Sequence, residues 1–210
     1  MEPFRVCYGK LGELRSLIDC PLLLITATAN ESARKQIEKK FCMQNCHEII
    51  QNPDRVNIKL FMQKVKGSVP LCDVFYFLIH LLKEKKENCE RFLIFCPSIK
   101  LCSQVFTMFR LELNSEIKHI EMYHSKTTEN MKERIKHVMD DPNGITRVLI
   151  ATSAAGMGVN LKGVNNVINF GPPKDMDGFV QQFGRAGRDG SVQWQFKFTL
   201  KDNAETLIRT

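Results

Sequence analysis

Short apolar runs alternate with helical periodicity along most of the chain. Leu22-Leu23-Leu24-Ile25 is continuously apolar and entered from Pro21, the pattern of a buried parallel strand. Asn30 is placed to cap a helix whose apolar positions Ala33, Ile37 and Phe41 recur at i, i+4 and i+8. The polar, proline-bearing stretch Gln51-Asn52-Pro53-Asp54-Arg55 then reads as a linker. After it, Val56 to Phe61 alternates partly like a strand, and 71–86 predicts an apolar helix ending in a lysine-rich turn. Phe92 to Phe95 reads as a buried strand, and Ser98 as the cap of a helix carrying Leu101, Val105 and Phe109.

The pattern continues in the same alternation. Ile117 to Met122 predicts a strand, and Met131, Ile135 and Val138 place a stripe on the next helix. That helix stops before the turn signal Asp141-Pro142-Asn143-Gly144. Val148 to Ile150, Val167-Ile168 and Gln195 to Leu200 predict further strands, with Phe179 to Phe183 on a helix between the last two. Strands alternating with helices of roughly 10–15 residues predict an α/β fold. Its sheet is mostly parallel, with helices on both faces. Ligands of such a sheet bind outside the carboxyl ends of the strands, so the residues after each strand carry the functional reading.

Composition narrows the class. The chain has 210 residues, 43% hydrophobic and 25% charged, ordinary for one α/β core with a small appendage. Thirty Lys and Arg against 23 Asp and Glu give a formal charge of +7, compatible with a polyanionic partner. No run approaches the roughly 18 apolar residues of a membrane span, and the N-terminus has no apolar signal core. The expectation is a cytosolic or nuclear chain, neither secreted nor membrane-bound. The eight cysteines read as small buried hydrophobes of a reducing compartment. Cys42 and Cys46 with His47 have no second pair at zinc spacing, so no metal site is expected.

Three segments carry candidate chemistry. Ala151-Thr152-Ser153-Ala154-Ala155-Gly156-Met157-Gly158-Val159-Asn160 is built almost wholly of small residues. Such a loop lets the backbone approach a ligand, with Thr152 and Ser153 offering hydroxyls to phosphate oxygens; a tight turn needing glycine is the plainer reading. Gln181-Gln182-Phe183-Gly184-Arg185-Ala186-Gly187-Arg188-Asp189-Gly190 sets two arginines three apart, on one side of a helical turn. A planar, always charged donor suits a transferring γ-phosphoryl group, where an arginine finger is worth about 10³–10⁵ in rate. A solvated basic turn explains the charges but not the interleaved glycines. Thr26 and Thr28, at the end of the Leu22 segment, could link sites across a cleft or simply end a strand.

Taken together these segments resemble the RecQ family of ATP-dependent DNA helicases. Thr26 to Ala29 resembles the third helicase motif, Phe92 to Ser98 the fourth, Ala151 to Asn160 the fifth and Gln181 to Gly190 the sixth. Asp54-Arg55-Val56-Asn57 resembles the family's Asp-Arg-Pro-Asn, and Tyr123-His124 the start of its Tyr-His-Ala-Gly. The sequence departs from the family at Val56, Ser125-Lys126, Ala155 and Leu161-Lys162-Gly163.

The resemblance implies a RecA-like second lobe over 71–210, a linker and first strand over 52–70, and the tail of lobe one over 1–51. It implies that Arg185, Arg188 and Gln181 act on the nucleotide, Arg188 as the γ-phosphate finger. Gly156, Gly158 and Asn160 would form the turn near the nucleotide. Ser98, Lys100, Thr152 and Ser153 would touch single-stranded or partly duplex DNA, and Thr26 and Thr28 would couple the two sites.

ATP with Mg²⁺ is the implied cofactor of a complete two-lobe enzyme. Yet no Gly-x-x-x-x-Gly-Lys-[Ser/Thr] occurs: after Gly158 to Gly163 comes Val164 where lysine must stand, and no Asp-Glu-x-His is present. The expected function is therefore part of a 3′ to 5′ DNA helicase that needs lobe one to turn over. One alternative is a non-catalytic nucleic-acid or protein-binding lobe. Another is a DEAD-box-like RNA helicase fragment, against which Gln181 and Ala186 speak. Oligomeric state is not legible, and Lys83-Glu84-Lys85-Lys86 reads as a solvated helix end rather than a nuclear address.

Overall fold

A computed structural model describes residues 10–18, 20–26, 29–51, 57–141, 144–152, 163–171, 182 and 193–200. At 14–15, 115–117, 165 and 193–200 it describes the backbone alone. The chain forms two compact units, 1–54 and 55–210.

In the first unit, α1 (Glu31–Lys40) starts where Asn30 caps it, the side-chain oxygen accepting from the Ala33 N–H at 2.8 Å. Ala33, Ile37 and Phe41 are half-buried, so the predicted stripe faces inward. Arg34 donates to the Ala29 carbonyl at 3.0 Å and pairs with Glu48 at 3.3 Å. The Leu22–Ile25 segment departs from expectation. It is not a strand, and Leu23 and Ile25 are 80% and 86% exposed. A buried parallel strand needs ladder partners at its sides, and the described residues of this unit supply none. The segment instead lines an apolar cleft of about 350 Å³ with Ile37, Met43 and Ile50.

The second unit is a six-stranded, wholly parallel sheet. Its strands are β1 (Ile58–Val65), β2 (Arg91–Phe95), β3 (Ile120–Tyr123), β4 (Val148–Ala151), β5 (Val164–Phe170) and β6 (Gln193–Leu200), in the order β1-β6-β5-β2-β4-β3. The helices are α2 (Leu71–Val74), α3 (Tyr76–Lys85), α4 (Ile99–Leu113) and α5 (Glu129–Asp140). β2 is buried at every position and shows why the sheet must be covered twice. Phe92 and Ile94 pack into a core with Phe75, Leu78, Val105 and Phe109, while Leu93 and Phe95 pack into another with Ile135 and Met139. Successive strand side chains point to opposite faces, so α3 and α4 cover one side and α5 the other. This is the α/β, RecA-like architecture that the pattern predicts.

Several local expectations are corrected. The helix foreseen over 71–86 is α2 plus α3, broken at Phe75, which is fully buried against Phe109 and Phe170 at ring separations of 5.6 and 5.2 Å. The strand expected from Ile117 starts at Ile120, after a 3₁₀ turn over Asn114–His119. On α5 the buried stripe is Ile135 and Met139, with Met131 42% exposed. Of the described cysteines, Cys89, Cys96 and Cys102 are buried as expected, but Cys20, Cys42 and Cys46, all in the first unit, are exposed. The expected linker residues 52–55 and the helix around Phe179 to Phe183 lie outside the described residues, apart from Gln182. Among the described residues no helix is long and apolar enough to cross a membrane.

Arg91 ties α5 to the sheet. Its guanidinium is buried and donates to the carbonyls of Met139 (2.9 Å), Asp141 and Gly144 (3.3 Å). These carbonyls lie at and just beyond the end of α5, where helical partners run out and the dipole favours a cation. Burial, and next the nearby Arg147, lower the Arg91 pKa from its ordinary value. Gly144 has to be glycine, since a Cβ there would lie 2.3 Å from the Val138 carbonyl oxygen.

Candidate functional site

The carboxyl ends of β2, β3, β4 and β5 come out together. Phe95 is in register with Ala151 on one side and Asn169 on the other, and Tyr123 with Ala151. The Cys96 N–H donates to the Ala151 carbonyl at 2.8 Å, and the Thr152 N–H to the Tyr123 carbonyl at 3.2 Å. Each bond carries the ladder one residue past a strand end. The turns that follow β2 and β4 are thus fixed side by side.

Ser98 lies in the turn after β2. Its backbone is extended, and its Oγ accepts from the Leu101 N–H at 3.2 Å, capping α4. Ser98 and Lys100 are both exposed, so a cation and a hydroxyl stand at the start of a 15-residue helix. That end bears partial positive charge and attracts phosphate oxygens. Behind the turn the thiols of Cys96 and Cys102 are hydrogen-bonded to each other, which holds Cys96 up and Cys102 down in pKa. Pro97 is held from the far side by Gly171, whose φ is +108° and where a Cβ would lie 3.1 Å from the proline ring carbons. Only glycine suits both the dihedral and the approach.

Thr152 is 8% exposed at the mouth of β4. Of the other candidates, Thr26 is exposed in the first unit. Thr28, Ser153, Gly156, Gly158, Asn160, Gln181, Arg185 and Arg188 lie outside the described residues. The structure therefore brings Ser98, Lys100 and Thr152 to one edge of one sheet.

Two side chains at this edge were not singled out as site residues from sequence. Asn169 on β5 is 2% exposed, and among the described residues neither its amide nitrogen nor its oxygen has a hydrogen-bond partner. His124 follows β3, and its backbone N–H donates to Thr127 Oγ1 at 3.0 Å. Its Nδ1 is buried without a partner among the described residues. Buried polar groups are nearly always paired, so orphaned ones gathered at strand ends mark a place where polar ligand contact is made. For Asn169 a sequence signal existed: asparagine is depleted in strands, yet it interrupts Val167-Ile168-Asn169-Phe170.

ATP and Mg²⁺ do not fit what this chain offers. The phosphate-loop lysine is absent from the sequence. Among the described residues no three His, Cys, Asp or Glu side chains gather to hold a metal ion.

Comparison with known proteins agrees with this geometry. The helicase conserved C-terminal domain family matches residues 73–190, more than half of the chain. The ATP-dependent DNA helicase hus2/rqh1 of Schizosaccharomyces pombe is 32% identical over 188 residues, 89% of this chain and 13% of that protein. ATP-dependent DNA helicase RecQ of Pasteurella multocida is 29% identical over 188 residues, 89% of this chain and 27% of that one. The chain thus spans between about an eighth and about a quarter of these relatives. Dbp5 of S. cerevisiae, solved bound to RNA and ADP BeF3, superposes with a TM-score of 0.69 at 19% identity, over 90% of this chain and 48% of that one. At that identity the likeness speaks for the fold. Strand order, buried parallel sheet and sequence similarity converge: the chain belongs to the helicase conserved C-terminal domain family, with RecQ-type DNA helicases as relatives over nearly its whole length.

Proposed function

We propose that this chain serves as the second lobe of an ATP-dependent 3′ to 5′ DNA helicase of RecQ type, gripping the backbone of the tracking strand and presenting arginines to a nucleotide held by lobe one. The observation that carries the reading is the junction of two turns. Ser98 with Lys100, after β2, and Thr152, after β4, stand at adjacent strand ends linked by the Cys96 to Ala151 hydrogen bond. Hydroxyls, a lysine and a helix N-terminus together suit phosphate oxygens and read no base, as a motor moving along any sequence requires. The +7 charge supports the same partner.

In this reading Arg188 is the finger toward the γ-phosphate, assisted by Arg185 and Gln181, and Gly156, Gly158 and Asn160 line the nucleotide's side of the loop. Ser153 adds to the strand contact, and Thr26 and Thr28 link it to lobe one. The phosphate cradle and the Mg²⁺ carboxylate belong to the lobe-one face of the complete enzyme. Residues 1–51 are then the tail of lobe one, 52–70 the linker and first strand, and 71–210 the lobe itself. A DNA substrate places the protein in the nucleus of a eukaryote or the cytoplasm of a bacterium.

Fluorescence anisotropy with labelled single-stranded DNA tests the reading. Ser98→Asp keeps the helix cap but sets a carboxylate against phosphate, and Thr152→Val removes a hydroxyl at nearly constant volume. Both should weaken binding, with affinity falling steeply as salt rises, while the chain alone shows negligible ATPase. Binding indifferent to both substitutions, or hydrolysis stimulated by single strand, contradicts the proposal.

A further inference from the structure

The sheet ends on β1, and this edge has none of the usual protection. Open edges are normally short, broken by proline, bent by bulges or covered, because an unpaired ladder templates another strand. β1 runs eight residues in unbroken parallel register with β6 and carries no proline. Leu60, Phe61 and Met62 are 58%, 48% and 65% exposed. Since successive side chains alternate in direction, apolar surface lies bare on both faces of the strand. Only Val65 reaches the core. Both β1 and β6 fall outside residues 73–190, the part shared with the helicase C-terminal family.

The charges around this apolar centre all have one sign. Lys59, Lys64 and Lys66 are exposed, and no Asp or Glu occurs from Asn57 to Cys72. We propose that the free edge of β1 is a docking site for an extended acidic peptide of a partner protein, with an apolar centre of about three residues flanked by carboxylates. Main-chain bonds to the open ladder supply affinity. The apolar centre covers Leu60, Phe61 and Met62, and the flanking carboxylates stand opposite Lys59 and Lys64, where directly opposed charges interact across strands. A second copy of the chain fits less well. Antiparallel self-pairing over all eight residues would set Lys59 opposite Lys64 twice, and like charges so placed repel.

The test uses the full chain and a fluorescein-labelled peptide, Glu-Glu-Val-Ile-Val-Glu-Glu, beside its lysine-flanked counterpart. Anisotropy at low salt should show the acidic peptide binding and the basic one not, with new amide exchange protection over 58–65. The double variant Lys59→Glu/Lys64→Glu should weaken the acidic peptide about tenfold, as two opposed pairs become two repulsions, and should gain the basic peptide. Met62→Asp should abolish binding of the acidic peptide. All these positions are exposed, so an unchanged urea midpoint verifies folding. The proposal is overturned if neither peptide binds or if both bind equally. Concentration-dependent self-association that Lys59→Glu/Lys64→Glu alters would assign the edge to a second copy. Occupation of 58–65 by single-stranded DNA in preference to the acidic peptide would assign it to nucleic acid. Either result also overturns the proposal.

Discussion

Replacing Asn169 by leucine should make the protein more stable. The side chain is 2% exposed, and among the described residues its two polar atoms have no partner. An unpaired buried amide costs about 1–3 kcal/mol by mutational scales. Leucine keeps the branched outline with two methyls in place of the amide's oxygen and nitrogen, so the desolvation cost disappears and apolar burial takes its place. Some of that gain is lost, because methyls are slightly larger and crowding in a packed sheet has its own cost. A net stabilisation of about 2 kcal/mol is expected for Asn169→Leu. In a unit of this size that corresponds to about 4–8 °C in Tm. Urea unfolding at fixed slope and calorimetry both measure it. Asn169→Asp is the opposing control, because an unpaired carboxylate in the same place should destabilise, and more so as pH rises through its titration. The functional counterpart is weaker binding of single-stranded DNA by the stabilised variant, the trade expected of a polar group kept for a ligand. If Asn169→Leu instead lost 1 kcal/mol or more, the amide would be hydrogen-bonded in solution and the reasoning would be refuted.

Three further outcomes follow from the geometry. Arg91→Met should cost about 2–4 kcal/mol in urea unfolding, because the carbonyls of Met139, Asp141 and Gly144 lose their donor where the helix supplies none. Gly171→Ala should destabilise by about 1–3 kcal/mol, from a +108° φ and the contact with Pro97, and a urea midpoint equal to the parent's would refute the close approach. Burial, followed by the neighbouring Glu90, pushes the Cys89 thiol up to about 11. The folded state therefore holds this proton after the unfolded state has released it. Stability should fall between about pH 9 and 11, and Cys89→Ala should flatten that part of the urea midpoint against pH.

The local elements were legible because their causes are local. Asn30 and Ser98 cap from side chains three residues away from their targets, and the buried strands β2 and β4 are short apolar runs of fixed length. Glycines at 144 and 171 punctuate as expected, although what each one touches is set by residues distant in the chain. Where sequence reasoning failed, the deciding partner was remote. Leu22 to Ile25 has the composition of a buried strand, but a run becomes a strand only when other strands offer it a ladder. The first unit offers none among its described residues. Phe75 broke a predicted helix because Phe109 and Phe170 made burying it more favourable than a straight axis.

The site divides in the same way. Ser98, Lys100 and Thr152 were legible as residues that follow strands, since a parallel sheet sends its ligands to those ends. That β2 and β4 are neighbours was not legible, because strand order depends on how crossovers pack. Only the folded sheet joins the two turns through the Cys96 to Ala151 bond. Nor could periodicity show that β1 would lie at the edge with Leu60, Phe61 and Met62 bare. Sequence by itself determined which residues want burial, which cap and which turn. Tertiary structure decided which polar groups were left unpaired and which apolar ones uncovered, because burial and pairing belong to neighbours in space.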